Sequence, residues 1–96
     1  MVQIHIKEKG RMKIIKRSGE EQVFDLNKII CAISKANKTV DESKRLTDEE
    51  IETIAYFVEA KGKGTKRALS VEEIQDLVEN QIMSLNKYEV ARNYIT

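Results

Sequence analysis

Lys13-Ile14-Ile15-Lys16-Arg17-Ser18-Gly19 and, after Glu20-Glu21-Gln22, Val23-Phe24-Asp25-Leu26-Asn27-Lys28-Ile29 decide how this chain folds. The apolar residues on either side of Ser18-Gly19 read as two short strands, Lys13 to Arg17 and Glu20 to Phe24, joined by a two-residue turn. Glycine permits that turn because it tolerates positive φ. In that register Ile15 lies opposite Gln22 and Ile14 opposite Val23. Arg17 then shares a face with Gln22 and Phe24, and Lys16 shares the other with Ile14 and Val23. The ribbon is apolar on both faces, and two strands alone do not stay folded in water, so something must pack on it. Asp25 next caps a helix whose free N–H groups favour an anion. Lys16, Arg17 and Lys28 flank that helix start, a modest pointer to a phosphate site.

Four amphipathic helices are predicted after the hairpin. The first runs from Asp25 to about Lys38 with Ile29, Ile30, Ile33 and Ala36 as its apolar stripe. The second opens on Thr47 with Glu50 three residues on, a capping box, and buries Ile51, Ile54, Ala55 and Val58. The third repeats the signature with Ser70 and Glu73, followed by Ile74, Leu77, Val78, Ile82 and Leu85. The fourth begins near Asn86, with Val90, Ala91, Tyr94 and Ile95 inside. The double glycine of Gly62-Lys63-Gly64 is expected to end the second helix. The predicted fold class is α+β, an N-terminal β-hairpin capping a four-helix bundle. Val2 to Ile6 alternates at period two, so residues 1–11 read as an arm or as an extra strand that would make three.

Composition narrows the function classes. Ninety-six residues make one small domain, and the absence of proline leaves long helices uninterrupted. One cysteine, Cys31, excludes an internal disulfide and a multi-cysteine zinc site. No apolar run is long enough to span a membrane and no signal-peptide core opens the chain, so a soluble, cytoplasmic protein is expected. Net charge is +1 but unevenly spread: residues 1–19 carry six Lys/Arg against Glu8, and 61–67 hold four cations and no acid. Local positive potential in a balanced domain suits a small polyanion, whereas a nucleic-acid domain usually carries a larger excess.

Nothing reads as an active site. His5 is the sole histidine, and Cys31 lies among isoleucines, where a buried structural thiol is expected rather than a nucleophile. Glu49, Glu50, Glu72 and Glu73 occupy first helical turns, where the macrodipole favours them. Gly62-Lys63-Gly64-Thr65-Lys66 lacks the spacing of a phosphate-binding loop and follows a helix, so it reads as a solvated connection. From charge alone the hairpin cations could likewise be plain surface residues.

The joint pattern, however, resembles the ATP-cone, the small nucleotide-binding domain at the front of many ribonucleotide reductases. ATP-cones typically read as a hydrophobic pair, Lys-Arg-Asp-Gly, a short strand, Phe-Asp, two or three residues, and Lys-Ile. This chain matches with Ile14-Ile15, Lys16-Arg17-Ser18-Gly19, Phe24-Asp25 and Lys28-Ile29, with spacing kept, over residue 12 to the end. The resemblance implies that Lys16, Arg17 and Lys28 hold a triphosphate. It places Gln22 and Asp25 at or beside the adenine. Phe24, Ile29 and Ile15 would give an apolar floor, and Val71 and Gln75 would lie near ribose and phosphate. Ser18 replaces the usual Asp, a change of turn chemistry. The family's basic extension of the last helix is not matched, because the sequence stops at Tyr94-Ile95-Thr96.

The function so implied is a non-catalytic, allosteric domain of a ribonucleotide reductase, taking ATP or dATP with Mg2+. The parent is expected to be a ribonucleoside-triphosphate reductase, by overall similarity of the anaerobic, glycyl-radical class. Expected partners are the adenine nucleotide, the rest of that parent and a second copy in a homo-oligomer, with no nucleic acid and no membrane. Two rivals stand beside it. One is the ATP-cone of a transcriptional repressor of reductase genes, where a four-cysteine zinc ribbon precedes the cone. The other is a helical module binding nucleic acid or protein through the basic hairpin and the 61–67 loop, with affinity that falls steeply with salt.

Overall fold

The computed structural model describes residues 12–95. A hairpin of β1 (Lys13–Ile15) and β2 (Glu21–Val23) leads into α1 (Leu26–Lys38), and a short 3-10 turn at Glu42–Lys44 precedes α2 (Asp48–Gly64). Then follow β3 (Leu69–Ser70), α3 (Val71–Ser84) and α4 (Tyr88–Ile95). The class is α+β, a small sheet over four helices, as the sequence indicates.

The hairpin register differs from expectation by one residue. Lys13 pairs with Val23, Ile14 with Gln22 and Ile15 with Glu21. The turn holds three residues instead of two. Lys16 N–H donates to Glu20 O at 2.8 Å, Gly19 N–H donates back to Lys16 O at 2.9 Å, and Gly19 takes φ +92°. A turn closed by a left-handed glycine is the usual three-residue hairpin loop. A one-residue slip exchanges the faces. Gln22 and Phe24 therefore share a face with Ile14, and Arg17 does not join them. Met12 and Phe24 are buried beneath this face, linked by Phe24 N–H to Met12 O at 2.8 Å, while Val23 on the opposite face is 43% exposed.

The third strand comes from the middle of the chain. β3 runs parallel to β1, Ile14 beside Leu69 and Ile15 beside Ser70, giving the order β2-β1-β3. The Val2–Ile6 strand candidate lies outside the described residues. Ser70 both ends β3 and caps α3, so the sheet delivers the first turn of α3 to the turn end of the hairpin. Its hydroxyl accepts from Glu73 N–H at 3.1 Å, and Glu73 accepts from Ser70 N–H at 2.9 Å. Thr47 and Glu50 form the same reciprocal cap on α2.

Ile33, Val58, Val78, Ile82 and Val90 are fully buried side chains of the four helices and make the centre of the core. Leu69, Met12 and Phe24 seal it under the sheet. Among the described residues Asn37 is the buried polar residue of the core, and its amide is bonded at both ends. Nδ2 donates to Leu46 O at 2.9 Å and Oδ1 accepts from Leu46 N–H at 2.8 Å. That clamp fixes the connection between α1 and α2. Arg45 covers the end of α1, donating from Nε to Val40 O at 2.7 Å.

α2 ends at the double glycine, with Gly64 its last residue, as the sequence indicates, and Gly62 is buried where the Met12 side chain packs on the helix. Three further expectations need correction. Asn86 ends α3 instead of starting α4. At φ 63° it donates to Met83 O, and Lys87 N–H donates to Ile82 O, the paired bonds of a left-handed helix stop. Cys31 is exposed, lying off the stripe that carries Ile33 and Ala36 inward. Leu85 and Ile95 point outward, at 38% and 60% exposure.

Candidate functional site

Parallel pairing of Ile15 with Ser70 makes Val71 and Glu72 neighbours of the hairpin turn. Arg17 crosses that junction: its Nε lies 3.2 Å from Glu72 Oε2. Lys16 faces Glu20 within the hairpin, Nζ to Oε1 at 3.9 Å, and Ser18 Oγ donates to the same carboxylate at 3.3 Å. Both hairpin cations are thus solvent-facing and carry loosely held carboxylate partners. Exposed pairs of this kind are worth little, so an incoming phosphate can displace them.

Lys28 stands on the first turn of α1, exposed, and makes no ion pair among the described residues. Asp25, which precedes that turn, is engaged as its cap, accepting from Asn27 N–H at 3.0 Å. Ile15, Gln22 and Ile29 are half-buried. Phe24 is only 9% exposed and belongs to the core, so it stands behind the site instead of lining its surface. Strand pairing therefore sets Ile15 beside Ser70, the residue before Val71, the Arg17–Glu72 pair joins the hairpin turn to the first turn of α3, and Asp25, Lys28 and Ile29 follow β2 in the chain.

Gln75 sits one turn beyond Val71 on the same face of α3. It opens onto a cleft of about 530 Å³ that it shares with Ala32, Lys35, Ala36 and Thr39 of α1 and Asn93 and Tyr94 of α4. Asn93 Nδ2 donates to Thr39 Oγ1 at 2.7 Å and ties the two helices across the cleft. Burial raises the pKa of the Tyr94 phenol above its ordinary value, so its ring is a neutral, half-buried wall. An aromatic wall, two side-chain amides and one lysine are chemistry that suits a base or sugar next to a phosphate-seeking cluster. Sequence reading missed this α4 contribution, because Tyr94 was assigned wholly to the inner face. It also missed Glu72 as the partner of Arg17, since only the β1–β3 pairing brings them together.

The basic stretch 61–67, the last turn of α2 and the connection to β3, is built differently. Arg67 grips Glu73 through two bonds, Nη1 to Oε1 at 2.9 Å and Nη2 to Oε2 at 2.6 Å. The Arg67 hydrogen bonds, with help from Ser70 N–H, pull the Glu73 carboxyl down to about 2. Lys61 reaches over the Phe57 ring, 6.0 Å from its centre. At least two of the stretch's four cations are therefore engaged within the domain.

The sequence model of the ATP cone domain family matches residues 12–96. Over 92 residues the chain is 32% identical to the ribonucleoside-diphosphate reductase subunit alpha of Chlamydia trachomatis, covering 88% of this chain and 9% of that one. The same subunit of Chlamydia pneumoniae is 34% identical over 88 residues, 85% of this chain and 8% of its own. A vitamin B12-dependent ribonucleoside-diphosphate reductase of Thermoplasma acidophilum is 39% identical over 88 residues, 86% of this chain and 11% of that protein. The chain thus spans about a tenth of the length of these relatives. Among the described residues, no helix is long and apolar enough to cross a membrane.

Proposed function

The chain belongs to the ATP-cone family, and on that premise we propose that it is the regulatory nucleotide-binding domain of a ribonucleotide reductase, itself without catalytic activity. The observation that carries the reading is the junction of hairpin and α3, where solvent-exposed Arg17 meets Glu72, the residue after Val71. Lys16, Arg17 and Lys28 take the phosphates as charge-assisted donors. Val71 and Gln75 lead from there into the cleft bounded by Tyr94. Magnesium travels with the triphosphate and is held by its oxygens, as that hard cation prefers.

ATP and dATP are the proposed ligands. A switch between them requires that the two bind differently to two states of the parent enzyme, and their single difference is the ribose 2′-hydroxyl. Gln75, a side-chain amide on the cleft wall, is the group proposed to sense it. A ribonucleoside-triphosphate reductase of the glycyl-radical class is the finer proposal for the parent, and it rests on overall sequence similarity alone. The relatives named above carry diphosphate-reductase names, so sequencing the remainder of the polypeptide decides that point.

Calorimetric titration with ATP, dATP and GTP in magnesium buffer tests the function. Saturable binding of both adenine nucleotides and weaker binding of GTP is the expected result. Equal heats for all three, or binding to nucleic acid that ignores added nucleotide, would contradict it and favour the nucleic-acid reading of the basic hairpin.

A further inference from the structure

We propose that Glu72 is a built-in counter-anion that competes with a phosphate group of the nucleotide for Arg17 and must be displaced when the nucleotide binds. This inference rests on the function proposed above and names how the site is regulated.

The geometry points to Glu72 in particular. Its carboxylate lies 3.2 Å from the Arg17 guanidinium, across the junction between the hairpin turn and α3. Neighbouring Glu73 is wholly committed, to the Ser70 cap and to Arg67. Glu72 has no such second duty: among the described residues Arg17 is its one charged partner and no side-chain hydrogen bond engages it elsewhere. It also stands in the first turn of α3, where helix N–H groups favour negative charge. A carboxylate there stands in the electrostatic place that a phosphate would take. Both side chains are more than half exposed, so the pair is exchangeable and no lock.

Two consequences follow. Displacing Glu72 lowers the net affinity for any ligand that uses Arg17. It also releases the tether between hairpin and α3, so that occupancy of the phosphate site is felt by a helix on the other side of the sheet junction. Glu72 is therefore a positioning residue, acting through Arg17.

The test is a four-protein cycle on the full 96-residue chain: wild type, Glu72→Gln, Arg17→Gln and the double variant, each titrated with ATP and checked for helicity by circular dichroism. Glu72→Gln should bind ATP about two- to five-fold more tightly than wild type, the range spanned by an exposed ion pair. In the Arg17→Gln background the same change should leave the affinity unaltered, because the competitor no longer has anything to compete for. Unchanged or weakened binding by Glu72→Gln overturns the inference while leaving the function intact. So does equal tightening in both backgrounds, which would mark simple repulsion between Glu72 and the ligand. If wild type binds no nucleotide at all, the function itself fails, and this inference with it.

Discussion

Ser70 is hydrogen-bonded into two structures at once: as the last residue of β3 it lies beside Ile15 of β1, and as the cap of α3 its hydroxyl accepts from Glu73 N–H at 3.1 Å. This double role ties the phosphate-facing hairpin to the first turn of α3. Ser70→Ala should cost about 1 kcal/mol in global stability, the usual value of a lost cap. Ser70→Thr should be nearly neutral, since Thr47 caps α2 by the same geometry. Urea unfolding followed by circular dichroism measures both. A Ser70→Ala domain as stable as wild type would show that strand pairing alone holds the junction.

Gly62 and Met12 form a second junction, between α2 and the hairpin. A Cβ on Gly62 would collide with the thioether end of Met12, which is buried. Alanine is otherwise favoured over glycine inside a helix by about 1 kcal/mol. The end of Met12 is flexible and can turn aside, so Gly62→Ala should destabilise the wild-type domain by at most about 1 kcal/mol, the repacking cost being partly offset by the helix preference. In a Met12→Ala background the same change should stabilise, by about 1 kcal/mol, since only the helix preference remains. The sign reversal is the diagnostic outcome, and a double-mutant cycle in denaturant reads it.

Acid should weaken the Glu73 network. The folded-state pKa is about 2 against an ordinary value of 4.5, so the depressed group contributes stability above pH 4.5. That contribution declines as pH falls from 4.5 and is gone below about 2. Glu73→Gln keeps a side chain able to complete the cap but loses the charged bonds to Arg67. Its melting temperature should lie below wild type at neutral pH, and the two curves should converge as the solution approaches pH 2. A gap that persists at low pH would mean that packing of the side chain, and not its charge, supports α3.

How much of this was legible in the sequence depends on how local each signal is. The caps at Asp25, Thr47 and Ser70 involve partners two or three residues away, and they mark three helix starts correctly. The hairpin was visible, but its register was not, because the choice between a two- and a three-residue loop turns on the backbone angle of Gly19. β3 could not be read at all. It has two residues, and its partner β1 lies more than fifty positions earlier in the chain. The double glycine marks the end of α2, but that Gly62 also admits the Met12 side chain depends on how the hairpin packs. Asn86 reads as a helix start because asparagine suits both a cap and a left-handed stop.

The candidate site divides along the same line. Lys16, Arg17 and Lys28 stood out through the family pattern of a contiguous segment. Glu72, and the cleft formed by Lys35, Thr39, Asn93 and Tyr94 around Gln75, depend on β1–β3 pairing and on α1 meeting α4. Those relationships are made by the fold and leave no short-range trace.

Amide chemical-shift mapping of the isotopically labelled domain during ATP titration locates the nucleotide site residue by residue. The shifts should concentrate at Ile15 to Gly19, Asp25 to Ile29 and Val71 to Gln75, extending to Tyr94, and Lys16→Ala should abolish them. Shifts confined to Lys61–Arg67, or persisting unchanged in Lys16→Ala, would contradict that site and place the anion at the basic stretch that ends α2.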